Sequence, residues 1–229
     1  MRNIAFIPAR CGSKGIALKN IKPICGKPLI AWTIEYANKA SCVDEVFVST
    51  DCEEVKAIAE SFGAKVPFVR PKKISGDKAS TESAVLHFLR WLDANFLEVE
   101  NIILMQATSP FRYPLQLDKA MSQFKRENAD SLLTVSKSHR FIWKNLSNPS
   151  ASYDISNRPR RQDIKSEDEI FLENGSFYIS KAEIYRKFEN RLGGKISMFQ
   201  MTPEESIEID DLFDFHINEY LLAKYSPKL

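Results

Sequence analysis

Four consecutive apolar residues, Ile4, Ala5, Phe6 and Ile7, open into a loop where Lys or Arg occupies positions 10, 14, 19, 22 and 27. No acid interrupts this stretch, and the first carboxylate of the chain is Glu35. A buried strand that empties into a cationic loop fits an open α/β sheet, which holds its ligand at the carboxyl ends of its strands. The density of positive charge there points to a polyanion. The segment PLIAWTIEYANKA (28–40) then carries Leu29, Ile30, Trp32, Ile34 and Ala37 at helical spacing, with Pro28 in the first turn. EVFVST (45–50) reads as a buried strand, and CEEVKAIAESFG (52–63) as a second helix with Asp51 as N-cap and Gly63 as stop. Strand, helix, strand, helix is the pattern of a mostly parallel sheet.

The same alternation continues. A short strand is expected over KVPFVRP (65–71), then a polar loop, a helix over 82–96, a strand NIILMQ (101–106), a helix over 114–128 and a strand SLLTVSKS (131–138). Between His139 and Asp168 the pattern dissolves into a stretch rich in Arg, Tyr and Trp. Unstructured connections of that length are usually functional or belong to an interface. FLENGSFYIS (171–180) and KISMFQM (195–201) restore strand character, and SIEIDD (206–211) leads into a last helix. With 229 residues, one domain spanning 1–229 is expected, with 139–168 as an excursion from it.

Composition narrows the class. The net charge is +2, with the cationic excess gathered near the N-terminus and not spread over a face, so a small anionic ligand is favoured over nucleic acid. No apolar run reaches the roughly 18 to 20 residues of a membrane helix, so neither membrane nor export is expected and the chain is read as cytoplasmic. Cys11, Cys25, Cys42 and Cys52 form no CxxC pair and read as reduced thiols, with Cys11 a small loop residue and not a nucleophile.

The loop PARCGSKGIALKN fails two common phosphate motifs. Gly12 is not followed by Gly-Lys-Ser/Thr at P-loop distance, and Lys14 stands where a GxGxxG needs its second glycine. Its parts nevertheless suit a nucleoside triphosphate. Gly12 and Gly15 let backbone N–H groups face phosphate, Ser13 adds a hydroxyl, and Arg10, Lys14 and Lys19 supply charge. Further along, QATSP (106–110) delivers uncharged amide and hydroxyl groups to a strand end, which suits a sugar. In SIEID, Glu208 and Asp210 stand two apart, so on an extended backbone both carboxylates face one side, as Mg²⁺ with its hard oxygen ligands requires. An acidic turn capping the last helix accounts for the same residues.

PARCGSKGIALKNIKPICGKPLIAWTIE closely resembles the N-terminal signature of the acylneuraminate cytidylyltransferases, the CMP-sialic acid synthetases, within the enzymes that activate 3-deoxy-2-ulosonic acids with CTP. EVFVSTD, VPFVRP, the loop before Ser80, LMQATSPFR, RRQD, ENGSFYI and SIEID resemble that family's blocks in that family's order. The resemblance implies a Rossmann-like nucleotide-diphospho-sugar transferase fold, a mixed, mostly parallel sheet flanked by helices with a dimerisation arm at 139–168. It implies that Arg10, Gly12, Ser13, Lys14, Lys19 and Asn20 hold the CTP triphosphate. Arg70 and Ser80 would help hold the nucleoside, although Ser80 alone is equally suited to cap a helix and Arg70 to lie on the surface. Gln106, Arg161 and Tyr178 match sugar-contacting positions; Arg offers a planar fork for the acid's carboxylate, and Tyr178 is equally suited to a core strand. Asp210 is the expected Mg²⁺ ligand. The family usually carries Asp where this chain has Glu208, so Glu208 is expected to act directly or through water.

The activity so implied is a nucleotidyltransferase reaction of nucleotide-sugar biosynthesis. The anomeric hydroxyl of a nonulosonic acid attacks the α-phosphorus of CTP and expels pyrophosphate, with Arg10, Lys19 and Asp210 as the catalytic set. N-acetylneuraminate is the first expected acceptor. Legionaminic or pseudaminic acid is the alternative, an eight-carbon acid is more distant, and a catalytically silent nucleotide-binding regulator is the reading from another class. A homodimer is expected.

Overall fold

The structure, a computed structural model, describes residues 2–12 and 15–225. Its first strand, β1 (Asn3–Pro8), is buried along its four central residues, as a strand covered by helices on both faces must be. It lies between β2 (Glu45–Ser49) and β3 (Asn101–Met105), parallel to both. Next come β4 (Ser131–Ser138), β5 (Ile170–Lys181) and β6 (Ile196–Met201). β5 runs antiparallel between β3 and β4, and β6 pairs parallel with β4, giving the order β6-β4-β5-β3-β1-β2. The expected mixed, mostly parallel sheet is present.

Alternation along β1 divides the core. Ala5 and Ile7 face one layer, where they pack with Ile30 and Ile34 of α1 (Leu29–Lys39), Val55 of α2 (Glu53–Ser61), and Leu117 and Phe124 of α4 (Gln116–Arg126). Ile4 and Phe6 face the other, against Phe88 and Leu89 of α3 (Thr81–Ala94) and Tyr185 of α5 (Ala182–Phe188). A third cluster joins Ile16, Phe111 and Ile209 to Phe215, Leu221 and Leu222 of α6 (Leu212–Tyr225). It lies beneath the loop after β1 and ties the last helix to the rim where β1 and β3 end.

Three local expectations need correction. Residues 65–71 form no strand; only isolated bridges, Phe47 with Lys65 and Thr50 with Val69, touch β2 and its end, because Pro67 and Pro71 cannot donate to a ladder. Asp51 does not cap α2. Cys52 holds that position without a side-chain cap, and the Asp51 carboxylate instead accepts the Cys11 backbone N–H at 2.9 Å. SIEID is not a strand but an irregular extended link between a 3-10 turn at Glu204–Ser206 and α6. The last helix does begin on an acidic cap: Asp211 accepts from the N–H groups of Phe213 and Asp214, and Asp214 accepts from those of Asp210 and Asp211.

Between β4 and β5 the chain leaves the sheet. This excursion holds a two-strand ladder, Trp143–Lys144 with Ser150–Ala151, and three single 3-10 turns. Phe141 and Tyr153 pack at 4.5 Å with the Arg158 guanidinium 4.6 Å over Phe141, while Trp143, Leu146 and Ile155 are exposed. Among the described residues no helix is long and apolar enough to cross a membrane.

Candidate active site

A cavity of about 520 Å³ opens on the rim above β1 and β3. Arg10, Gly15, Lys19 and Asn20 line it from the first loop, Arg70, Asp77 and Ser80 from the segment before α3, and Gln106, Thr108 and Asp210 from the opposite side. Ser13 and Lys14 lie outside the described residues. Gly12 is exposed next to them, and a Cβ added there would meet nothing within 4 Å.

One wall is cationic and braced. Asn20 is buried and donates its side-chain N–H to the Arg10 carbonyl at 2.9 Å, which fixes the loop's curvature. The Arg10 guanidinium crosses the cavity mouth to Asp77 at 2.6 Å. Arg70 is only 5% exposed; its N–H bonds the Thr50 carbonyl, and its Nε donates to Ser75 Oγ at 3.1 Å. Burial pulls the Arg70 pKa down, Asp51 opposes this, and the nearby Arg10 charge adds to it. Two arginines close enough to feel each other, with one desolvated, make a place where an anion is favoured. Ser80 caps α3, accepting from the Ser83 N–H at 3.1 Å, and also lines the cavity.

The facing wall carries the acids. Lys19 Nζ donates to the Ile209 carbonyl at 2.5 Å, and the Ile209 N–H bonds the Thr108 carbonyl at 2.8 Å. Gly15 packs so closely under this link that an added Cβ would fall 2.2 Å from the Asp210 carbonyl oxygen. The segment 208–210 is thereby held between the cationic loop and the end of β3. Asp210 is exposed to the cavity. Glu208 is half-buried, accepts from the Thr108 hydroxyl at 2.8 Å, and has its other oxygen beside Gly175. Burial raises the Glu208 pKa and the Asp210 charge raises it further, against the pull of Thr108, Lys19 and Arg191. Two carboxylates that repel each other beside a phosphate-sized cationic wall have the donor chemistry for a hard divalent cation.

The chain as a whole has counterparts among known proteins. A family model described as "Cytidylyltransferase" matches residues 4–225. The chain belongs to the cytidylyltransferase family. Cytidylyltransferase relatives include "N-acylneuraminate cytidylyltransferase A" of Danio rerio, 37% identical over 96% of this chain and 51% of that protein. They also include "CMP-N,N'-diacetyllegionaminic acid synthase" of Legionella pneumophila, 31% identical over 97% of both chains. The chain spans about half the length of the N-acylneuraminate cytidylyltransferases it matches. A solved CMP:2-keto-3-deoxy-manno-octonic acid synthetase complexed with CTP superposes over 98% of this chain and 99% of its own, with TM-score 0.72 at 17% identity, which shows a shared fold.

Two of the expected sugar-contacting residues stand apart from the cavity. Arg161 is exposed in the 3-10 turn Arg161–Asp163 and lines a separate space of about 360 Å³ with Tyr153 and Glu169. Tyr178 is 3% exposed in the core layer under α3, with its hydroxyl donating to Glu173 and the Arg191 guanidinium 4.8 Å over its ring. Burial drives its pKa upward, so it is a neutral hydrogen-bond donor. All four cysteines are free; the Cys52 side chain and burial push the Cys11 thiol up to about 11, which disfavours a thiolate nucleophile.

Sequence reasoning passed over Gly175 and Arg112. Gly175 has φ +66°, and a Cβ there would come within 3.2 Å of both the Gln106 amide nitrogen and Glu208. Its absence leaves room for both side chains beside the turn. Arg112 is fully buried behind the Gln106 turn. One signal was available: a lone arginine inside SPFRYPL, whose next carboxylate along the chain is Asp118.

Proposed function

We propose that this chain transfers CMP from CTP to the anomeric hydroxyl of a nonulosonic acid, releasing pyrophosphate and forming the CMP-sugar, with N-acetylneuraminate the first candidate acceptor. The observation that carries the reading is the two-walled cavity. Arg10, Lys19 and Arg70 converge on one side, and Asp210 and Gln106 face them across a space suited to a nucleotide.

Arg10 and Lys19 hold the β- and γ-phosphates and offset charge on the departing pyrophosphate. Arg70 and Ser80 meet the nucleoside end. Gln106 offers its amide to the acceptor's hydroxyls. Asp210 would hold Mg²⁺, with Glu208 behind it; a bound Mg²⁺ supplies charge neutralisation at the α-phosphoryl group. The acceptor's carboxylate falls to Arg161 at the end of the arm. The exposed Trp143, Leu146 and Ile155 support an arm that packs on a second copy, so the protein is read as a homodimer whose arm completes the partner's acceptor site. Four free thiols support a cytoplasmic enzyme.

A second acceptor is favoured by one comparison. The Legionella protein matches over nearly its whole length, which makes a diacetyllegionaminate-type acid the alternative. Incubating the protein with each NTP and a panel of nonulosonic acids, then measuring pyrophosphate and the CMP-sugar, tests both. Pyrophosphate only with CTP and one acid class is the expected result. Nucleotide binding without pyrophosphate from any pair would make the protein a silent regulator.

A further inference from the structure

We infer that Arg112 is the positioning residue of the acceptor side of the site, holding Gln106 and the Gly175 turn in one arrangement without touching either substrate. The inference rests on the cytidylyl-transfer reading. Arg112 is 0% exposed, and its donors all go to the rim and the helix behind it. Its Nη2 donates to the Gln106 carbonyl at 2.9 Å and to the Ser176 carbonyl at 2.8 Å, its Nε to Ser176 Oγ at 2.9 Å, and its Nη1 to Thr33 Oγ1 of α1 at 3.1 Å. Ser176 in turn accepts the Gln106 backbone N–H at 3.2 Å. One guanidinium therefore ties the turn after β3, at Gln106, to β5 at Ser176, next to Gly175.

None of these hydrogen bonds goes to a carboxylate. Burying a cation in that way is a weak means of stabilising a fold, since apolar side chains of similar volume often serve as well. What apolar packing cannot supply is direction. The planar fork of arginine orients two carbonyls and a hydroxyl at once, whereas lysine offers a point charge on a flexible stem. The nucleotide wall has its own braces, Asn20 on Arg10, Ile209 on Lys19 and Ser75 on Arg70, and none of them touches Arg112. Loosening Arg112 should therefore blur the acceptor side and leave CTP binding as it is.

The test is steady-state kinetics on the full chain with pyrophosphate readout, varying CTP and N-acetylneuraminate, or whichever acid of the panel is turned over, in separate series. Arg112→Lys and Ser176→Ala should each raise the acceptor KM by about tenfold, the scale of a lost hydrogen bond to a charged group, with the CTP KM within about twofold. Because Arg112→Lys can fail to fold, Ser176→Ala serves as the milder variant that keeps the arginine and removes one acceptor. A double-mutant cycle adds a readout that general destabilisation would not move. On a Gln106→Ala background, Arg112→Lys should cost less than about twofold in acceptor kcat/KM, because its effect runs through Gln106. Acceptor and CTP KM values rising together, or full additivity in the cycle, overturn the positioning role while leaving the activity standing. A wild-type chain that releases no pyrophosphate with any pair overturns both.

Discussion

Arg70 and Arg161 mark two extremes of how this molecule presents a cation. Arg70 is nearly sealed, its backbone bonded to the end of β2 and its side chain to Ser75, with its charge felt by Arg10 and Asp51. Arg161 is exposed on a single 3-10 turn of the excursion between β4 and β5. The braces on Arg10, Lys19 and Arg70 thus hold that cationic wall in place, so ordering it would cost little if a polyanion bound there. The arm has its ring cluster and joins the sheet at its root, but Trp143, Leu146 and Ile155 lie open. The cationic half of the cavity is built from braced residues, whereas the arm leaves these apolar side chains exposed.

The contrast breaks most sharply at Arg10 and Asp210. Either residue changed to Ala should lower kcat/KM by about 10² to 10³, the scale of losing one preorganised charge-stabilising group, read as pyrophosphate release. Near-normal turnover in either variant would remove the two-walled account altogether. Next is Gly15→Ala, whose Cβ would meet the Asp210 carbonyl at 2.2 Å. Forcing the cationic loop away from segment 208–210 should cost turnover by about tenfold or more, since misplacement by about 1 Å can cost up to a hundredfold, and should lower the melting temperature as well, because the clash is with backbone. An unchanged rate would show that the walls are not held together there.

Arg161→Ala sharpens the comparison from the other side. It should raise the acceptor KM by about tenfold and leave the CTP KM unchanged, and sedimentation should show a dimer in both proteins. A fully active monomer would contradict an arm that completes the partner's site. The smallest effect is expected at Glu208. Its folded pKa is raised by burial and by Asp210, so the native state holds the proton more tightly than the unfolded chain. The stability from this group is fully present below the unfolded value near 4.5 and is lost as pH rises through the folded value. Melting temperature against pH should therefore decline across that window by a degree or two, about what a fraction of a kcal/mol yields in a chain of this size. Glu208→Gln should remove this part of the decline, and added Mg²⁺ should offset it in the wild type as pH rises. An identical profile in the variant would detach Glu208 from the acidic side.

What was legible in the sequence follows the same divide. The periodicity of β1, α1, β2 and α2 came through because each element is buried in a regular way, and the ATSPFR segment announced itself by following an apolar strand. Residues 65–71 misled because their apolar character was clear while Pro67 and Pro71 forbade the ladder. Asp51 misled because its position before a helix suits a cap, whereas its actual partner is the Cys11 amide, forty residues away. Arg112 stayed hidden for a related reason: its partners, Thr33 and Ser176, are neutral and remote in the chain, and neither charge pattern nor spacing reveals them.

The one reversed strand has a mechanical consequence. Every other strand of the sheet arrives at the rim from below, but β5 enters from the rim, directly from the arm, and reaches Gly175 after five residues. Its ladder with β4, from Ile170 to Glu173, makes a stiff tether between the arm's root and the Gln106 turn. Any load on the arm would reach the Gln106 turn through that ladder, whereas the loop after β1 lies two strands away.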